Sequence, residues 1–366
     1  WTAVDHDPAA LHLMVDLARN QTELKMARSK ANECAMRPAA STQMIATCAK
    51  FLQGSLPQTA IDKLVAQMTS ASASTRSNAA YGMFCVEDGR GNIGAASRHL
   101  QSYHTLMKAN TDYRRSTDSA MFTFLSRLRF ESLPRSKYSI FPVFVSGLPG
   151  SGVKDAARML QPGAQNPSAR ALNVVGANLS RFVQMLHNEG RRDVTREDLL
   201  LLQSELREGL RQAADGTDMV IDCAELNFRW SGLVSAALPE ARIVHMRRDH
   251  LQTGWAIHRD GFGRADLPFQ HDMTHLASYL LRAETLMHRW EMQSPNITGF
   301  SGDALCRPGH QIAKAILTHC NMSWSVLCES PHYAPSRDWH RYAPTVAPLR
   351  KTLKAFEAAP SKQLQL

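Results

Sequence analysis

The stretch FVSGLPGSGVKDAARML, residues 144–160, constrains the fold more than any other part of the chain. Its apolar start reads as a buried strand, Gly147-Leu148-Pro149-Gly150-Ser151-Gly152 as a tight turn, and the apolar spacing that follows as a helix. In that order, backbone N–H groups and a helix N-terminus can surround an anion, and glycine admits the backbone angles such a nest needs. A kinase-type nucleotide loop has lysine and then serine or threonine directly after its last glycine. Here Val153 takes the lysine place, Lys154 comes one position late, and Asp155 stands near where a magnesium-binding hydroxyl belongs. A P-loop nucleotide kinase is therefore the weaker reading, and a glycine turn without a ligand is the bland one.

The chain around this loop changes character twice. Residues 1–130 carry apolar residues at helical spacings with few β-branched clusters, which predicts helical hairpins. Ala27, Ala60 and Ala95 open related segments at separations near the period of about 34 that marks tetratricopeptide repeats. The Trp/Leu/Gly/Tyr signature of those repeats is missing, so a plain helical bundle stays open as the alternative. A polar link at 131–140, flanked by Pro134 and Pro142, leads into an α/β region at 141–355. There a first strand is followed by one long helical stretch from about Arg170 to Ala213, a second strand in DMVID, a helix and a third strand in ARIVHMRR. Strands alternating with helices predict a parallel sheet. Residues 356–366 form a C-terminal tail.

With 366 residues, 44% of them hydrophobic, the chain can bury a sizeable core. Its formal charge of +9 favours anionic partners, such as nucleotides or an acidic assembly, or else means only a scattered basic surface. The seven cysteines form no C-x-x-C pair, which predicts free thiols in a reducing compartment and no zinc site. No stretch approaches the roughly 18 to 20 apolar residues of a membrane span. The expectation is a soluble protein of the cytoplasm, or of an organellar matrix such as the mitochondrion once a presequence has been removed, since Trp1 heads the chain.

Residues 222–249, DCAELNFRWSGLVSAALPEARIVHMRRD, with HLQTGWAIHRDGF after them, resemble the second half of the sulfotransferase fold. The likeness is specifically to bacterial-type sulfotransferases with N-terminal tetratricopeptide repeats. That family carries a D-K-x-P-x-N-F segment leading to FP-x-A-R-I-I-H-x-R-R-D-P-x-D-T. This chain answers with Asp222, Leu226-Asn227-Phe228, Leu238-Pro239, Ala241 to His245, Arg247-Arg248-Asp249 and Thr253. LLRAETLMHRWEMQSPNITGFSGDAL is similar to the family's next helix and strand, and SRDWHRYAPTVAPL to its terminal segment. The resemblance covers about residues 75–355. It implies a P-loop α/β fold behind a helical repeat domain, and 3′-phosphoadenosine 5′-phosphosulfate as donor of a sulfuryl group to an acceptor hydroxyl or amine.

The resemblance also assigns residues. The family loop reads G-x-P-R-S-G-T-T; Gly147, Pro149, Ser151 and Gly152 match it, Gly150 replaces the arginine, and Val153-Lys154 replace the threonines. The expected cofactor contacts are Gly147, Pro149, Gly150, Ser151, Gly152, Lys154 and Arg248, the last matching the arginine that holds the 3′-phosphate. A structural pair of Arg248 with Asp249 is the competing reading. Ala256 stands where the family has a phosphate-binding serine. Asn178 stands at the place of the acceptor-activating glutamate and cannot take up a proton at neutral pH. His187 is then the candidate base, with Lys154 as the displaced catalytic cation. His245 lies in strand pattern and is expected to pack. With these losses together, the activity is expected to be impaired or lost. The alternative is a non-catalytic accessory subunit, a pseudoenzyme, that meets other proteins through its helical repeats.

Overall fold

The structure is a computed structural model and describes residues 7–17, 21–161, 174–214, 216–305, 311–324 and 338–358. An all-helical region comes first: α1 (Pro8–Leu17), α2 (Gln21–Met36), α3 (Thr42–Phe51), α4 (Gln58–Gln67), α5 (Ala73–Gly89), α6 (Ile93–Asn110) and α7 (Arg115–Ser126). Local chemistry sets several of these boundaries. Ser41 caps α3 by accepting from the Met44 N–H, and Ser72 caps α5 by accepting from Thr75 N–H. Ala27 on α2 is buried, and Cys34 of α2, Cys48 of α3 and Ala60 of α4 share one apolar core, while Ala95 on α6 is half-buried beside the fully buried Ala96.

A small parallel sheet follows, made of β1 (Phe141–Gly147), β2 (Met219–Asp222), β3 (Arg242–Arg247) and β4 (Ile297–Ser301) in the order β2-β1-β3-β4. Its helices are α8 (Val153–Leu160), α9 (Val174–Asn188), α10 (Arg196–Ala214), α11 (Ser231–Ala237), α12 (His250–Asp260), α13 (Met273–Gln293), α14 (Gly302–Leu305), α15 (Gln311–His319) and α16 (Ala343–Ala358). The helical stretch expected from about Arg170 to Ala213 is built, over its described residues, of two helices. Gly190, at φ +66°, ends the first, and Thr195 and Asp198 start the second by a reciprocal cap in which each backbone N–H meets the other's side chain.

Alternation along the strands divides the sheet into two faces. Val143, Val145, Ile221, Val244 and Met246 pack with Val153, Met159 and Leu160 of α8 and Ile316 of α15. The opposite face therefore receives Phe144, Ser146, Asp222, Ile243 and His245. Contacts group the chain into two compact units: Trp1–Tyr113 with Ile257–Leu276 and Asp338–Lys351, and Arg114–Ala256 with Ala277–Arg337 and Thr352–Leu366. The sheet lies in the second. Cys34, Cys48, Cys85 and Cys320 are buried free thiols and Cys223 is a half-buried one; burial pushes Cys48, Cys85 and Cys320 up to about 12. Cys306 and Cys328 lie outside the described residues. No described helix is long and apolar enough to cross a membrane.

Candidate functional site

Strand order fixes where a ligand could bind. The chain runs from β1 outward to β2 and then returns to place β3 on the other side of β1. The loops after β1 and β3 thus diverge and leave a crevice at the carboxyl ends of these strands, the place where open α/β sheets bind ligands. The loop after β1 is Gly147–Gly152, and the residues after β3 are Arg248 and Asp249. Two segments about a hundred residues apart in sequence meet there: Arg248 Nη1 donates to the Gly150 carbonyl at 2.5 Å.

The loop has the backbone of an anion cradle. Gly150 and Gly152 adopt φ +80° and +102°, and α8 starts immediately after them. Ser151 is buried and its hydroxyl has no hydrogen-bond partner among the described residues. The surroundings of the loop are filled by the chain itself. A Cβ at Gly150 would lie 2.6 Å from the Cβ of Ala256 on α12, so the arginine and serine positions of the family pattern hold two small residues packed against each other. On the other side, a Cβ at Gly302 would lie 2.0 Å from the Ser151 carbonyl oxygen.

The charges are compensated internally. Arg248, with its side chain only 5% exposed, has Nε 3.1 Å from Asp303 Oδ1. Asp303, not Asp249, is its carboxylate partner; Asp249 instead starts α12 by accepting from the Gln252 N–H at 2.9 Å. Asp155 is buried in the first turn of α8, 3.9 Å from Arg158. Burial raises its carboxyl above the ordinary range, against the pull of Arg158, Arg248 and Lys154. Val153 is buried in the core, so the place of a kinase lysine points away from the loop. Lys154 is half-buried beside Asp155.

Asn178 is half-buried on α9 and accepts from Arg181 Nη2 at 2.5 Å. His187 is on the same helix, exposed, its ring edge-on to Phe124 at 5.1 Å. Val175, near the start of α9, lines a small cavity with Ser146, whereas His187 lies twelve residues further along, about 18 Å of helix. His187 is thus not gathered with the loop and Arg248. The segment 162–173, across which the position of Asn178 was aligned, lies outside the described residues.

The site contains groups to which the sequence assigned no role. Asp222, at the end of β2, is fully enclosed, and burial pushes its carboxyl up to about 7 despite hydrogen bonds from the Ala224 N–H and Asn227. Asp303 gave no signal either: nothing in GFSGDAL marks it as the counter-ion of an arginine on another strand.

Set against 3′-phosphoadenosine 5′-phosphosulfate, these residues do not fit. Lys154, Arg158 and Arg248 face the carboxylates Asp155 and Asp303, leaving little net positive charge for a nucleotide bearing two phosphate-type groups. The cradle's backbone has an anion-binding form, while its side chains answer to one another.

Comparison with known proteins locates the same region. Residues 142–326, just over half of the chain, match the sequence model described as Sulfotransferase family. A protein of Aquifex aeolicus (strain VF5), described as an uncharacterized protein, is 21% identical over 272 residues, covering 68% of this chain and 35% of the relative. The chain thus spans about a third of the length of that curated relative.

Proposed function

The chain belongs to the sulfotransferase family, and from that premise we propose that it keeps the family fold without transferring sulfuryl groups at a useful rate, and acts as a non-catalytic accessory subunit of a larger assembly. One observation carries this reading: the guanidinium of Arg248, the residue matching the 3′-phosphate contact, is already held by Asp303 at 3.1 Å and by the Gly150 carbonyl at 2.5 Å. A nucleotide would have to displace a half-buried carboxylate from that cation, and the loop itself contains no arginine. Removing one oriented transition-state donor commonly costs about two to three orders of magnitude in rate. Here the loop arginine, both loop threonines and the clamp serine are replaced at once.

The helical region is the proposed docking element, whether or not its helices are tetratricopeptide repeats. Met26 and Met36 on α2 and Val65 on α4 are exposed large apolar side chains there, which a partner could cover. The net charge of +9 favours an acidic one. The free thiols fit a reducing compartment.

Calorimetric titration with 3′-phosphoadenosine 5′-phosphate, with ATP and magnesium as control, tests the reading. Neither nucleotide is expected to bind in the micromolar range. Micromolar binding of the first alone would overturn the proposal in favour of an active enzyme with a rearranged site, a reading that the unpartnered hydroxyl of Ser151 favours. Lys154→Ala and Arg248→Ala would then identify its cations.

A further inference from the structure

On the face of the sheet away from α8 and α15, three side chains form a hydrogen-bonded series that the site above does not use. His245 of β3 is fully buried, with Nδ1 2.9 Å from Glu291 Oε1 on α13 and Nε2 2.8 Å from Ser231 Oγ at the start of α11. Glu291 also faces Arg247, whose Nη2 is 2.5 Å from the same oxygen. Beside an arginine this carboxylate is an acceptor, so the histidine proton sits on Nδ1 and donates to it. Nε2 is then a lone pair and accepts the Ser231 hydroxyl proton. Burial lowers the His245 pKa, in keeping with a neutral ring.

Serine, histidine and glutamate in this order have the connectivity of a nucleophile, its base and an orienting acid. The space in front of Ser231 excludes that use. Ser231 lines a narrow cavity of about 10 Å³, shared with Ser146, Asp222 and Asn227 and walled by Phe144, Val175 and other apolar residues. That volume is room for the centre of one water and for no acyl substrate.

The cavity is also where two buried polar atoms have no hydrogen-bond partner among the described residues: Ser146 Oγ and Asp222 Oδ2. The other Asp222 oxygen is engaged, accepting from the Ala224 N–H at 3.0 Å and from Asn227 Nδ2 at 3.3 Å. Ser231, its proton committed to His245, turns only lone pairs to the space. With Asp222 ionised, two acceptors and one hydroxyl that can donate converge on a volume of one water. Leaving such groups buried and unpaired is costly, and a water with about three hydrogen bonds is the usual solution.

We propose that this cavity binds a single water molecule, which donates to Asp222 Oδ2 and Ser231 Oγ and accepts from Ser146 Oγ, completing a buried hydrogen-bond relay from Asp222 through Ser231 and His245 to Glu291. The water ties the residue that precedes the glycine loop to β2, α11, β3 and α13. It does not depend on whether the loop binds a nucleotide.

A crystal structure of the full chain at a resolution that orders waters tests the site directly. The expected result is one density peak within about 2.7–3.2 Å of Asp222 Oδ2, Ser146 Oγ and Ser231 Oγ. An empty cavity, or rotamers in which Ser146 and Asp222 bond each other, would overturn the proposal. Nitrogen-15 NMR of the His245 ring checks the direction of the relay: the proton should be on Nδ1, and should stay there in Ser231→Ala. A wild-type ring protonated on Nε2 would refute the relay as drawn, and because both decisive readings use the unaltered chain, neither depends on a variant folding.

Discussion

In the first unit three histidines are buried side by side and bond one another and neighbouring carbonyls, whereas at the carboxyl ends of the strands in the second unit Ser146, Ser151 and Asp222 bury polar atoms that meet no partner among the described residues. The histidine set can be followed proton by proton. His104 Nε2 donates to the His258 carbonyl at 2.9 Å, His258 Nδ1 donates to the Gln270 carbonyl at 2.9 Å, and His271 Nδ1 donates to His104 Nδ1 at 2.9 Å. The His104 and His258 rings stack with centroids 3.6 Å apart. None of these ring nitrogens is left buried without a partner. Buried polar groups that close on themselves hold a fold together, while groups left open mark where the fold was shaped around something else. The histidine set of the first unit is closed by its own groups; the strand ends of the second unit keep open ones.

The largest effect should come from breaking the closed set with acid. Burial lowers the pKa of all three histidines, to about 4 for His258 and His271. These values lie below the unfolded value of about 6.5, so the folded chain holds fewer protons. Stability that is complete above about pH 6.5 is therefore lost as pH falls through about 4. The loss should be on the order of 5 kcal/mol for the cluster as a whole, since each pK unit is worth about 1.4 kcal/mol. Thermal melting between pH 7.5 and 4.5 measures it, with His271→Gln as reference. A slope unchanged in that variant would mean that acid acts elsewhere.

Next comes the counter-ion of the open set. Asp303→Ala removes the carboxylate 3.1 Å from the buried guanidinium of Arg248, which still donates to the Gly150 carbonyl. Breaking a buried pair costs roughly 3–5 kcal/mol; with Asp303 partly exposed, about 2 kcal/mol is expected, read as a lower Tm. The same variant should gain affinity for 3′-phosphoadenosine 5′-phosphate. A loss of stability with no gain in binding would mean that Asp303 stabilises the loop without being what bars the nucleotide.

Gly150→Ala probes the steric half of the same site. Its φ of +80° strains any L side chain, and its Cβ would lie 2.6 Å from that of Ala256. A destabilisation of about 2 kcal/mol is expected from strain and overpacking together. Ala256→Gly in the same chain should recover the packing part alone. Full recovery would show that the backbone angle contributes nothing.

These contrasts mark how far the sequence could be read. The strand, turn and helix around Gly147 were legible because an apolar run, glycines and a helical spacing are each local signals, and so was the parallel sheet behind a helical region. Arg248 was legible at the end of β3 by position, but its partner was not. Asp303 is 55 residues further on, and an ion pair across a sheet leaves no mark on either segment. The two small residues at 150 and 256 read as separate losses, while in space they are one packing contact. His104 and His271 are 167 positions apart, and their contact leaves no mark on either segment for the same reason.

The smallest expected effect separates open groups from closed ones most sharply. The Ser151 hydroxyl is buried without a partner, so Ser151→Ala removes a desolvated group and no hydrogen bond. Its stability should change by less than about 0.5 kcal/mol, or rise. Ser235 is equally buried but donates to Asn296 Oδ1 at 2.6 Å, and Asn296 Nδ2 donates to the Ala241 carbonyl. Ser235→Ala should therefore cost about 1–3 kcal/mol, the range for leaving a buried acceptor unpaired. Urea unfolding of the two variants beside the unaltered chain gives both numbers. Equal losses would mean that Ser151 has a partner in solution, an ordered water or a bound anion in the cradle; titration with inorganic sulfate at constant ionic strength then tells these apart, since only a bound anion raises the stability of the unaltered chain more than that of Ser151→Ala.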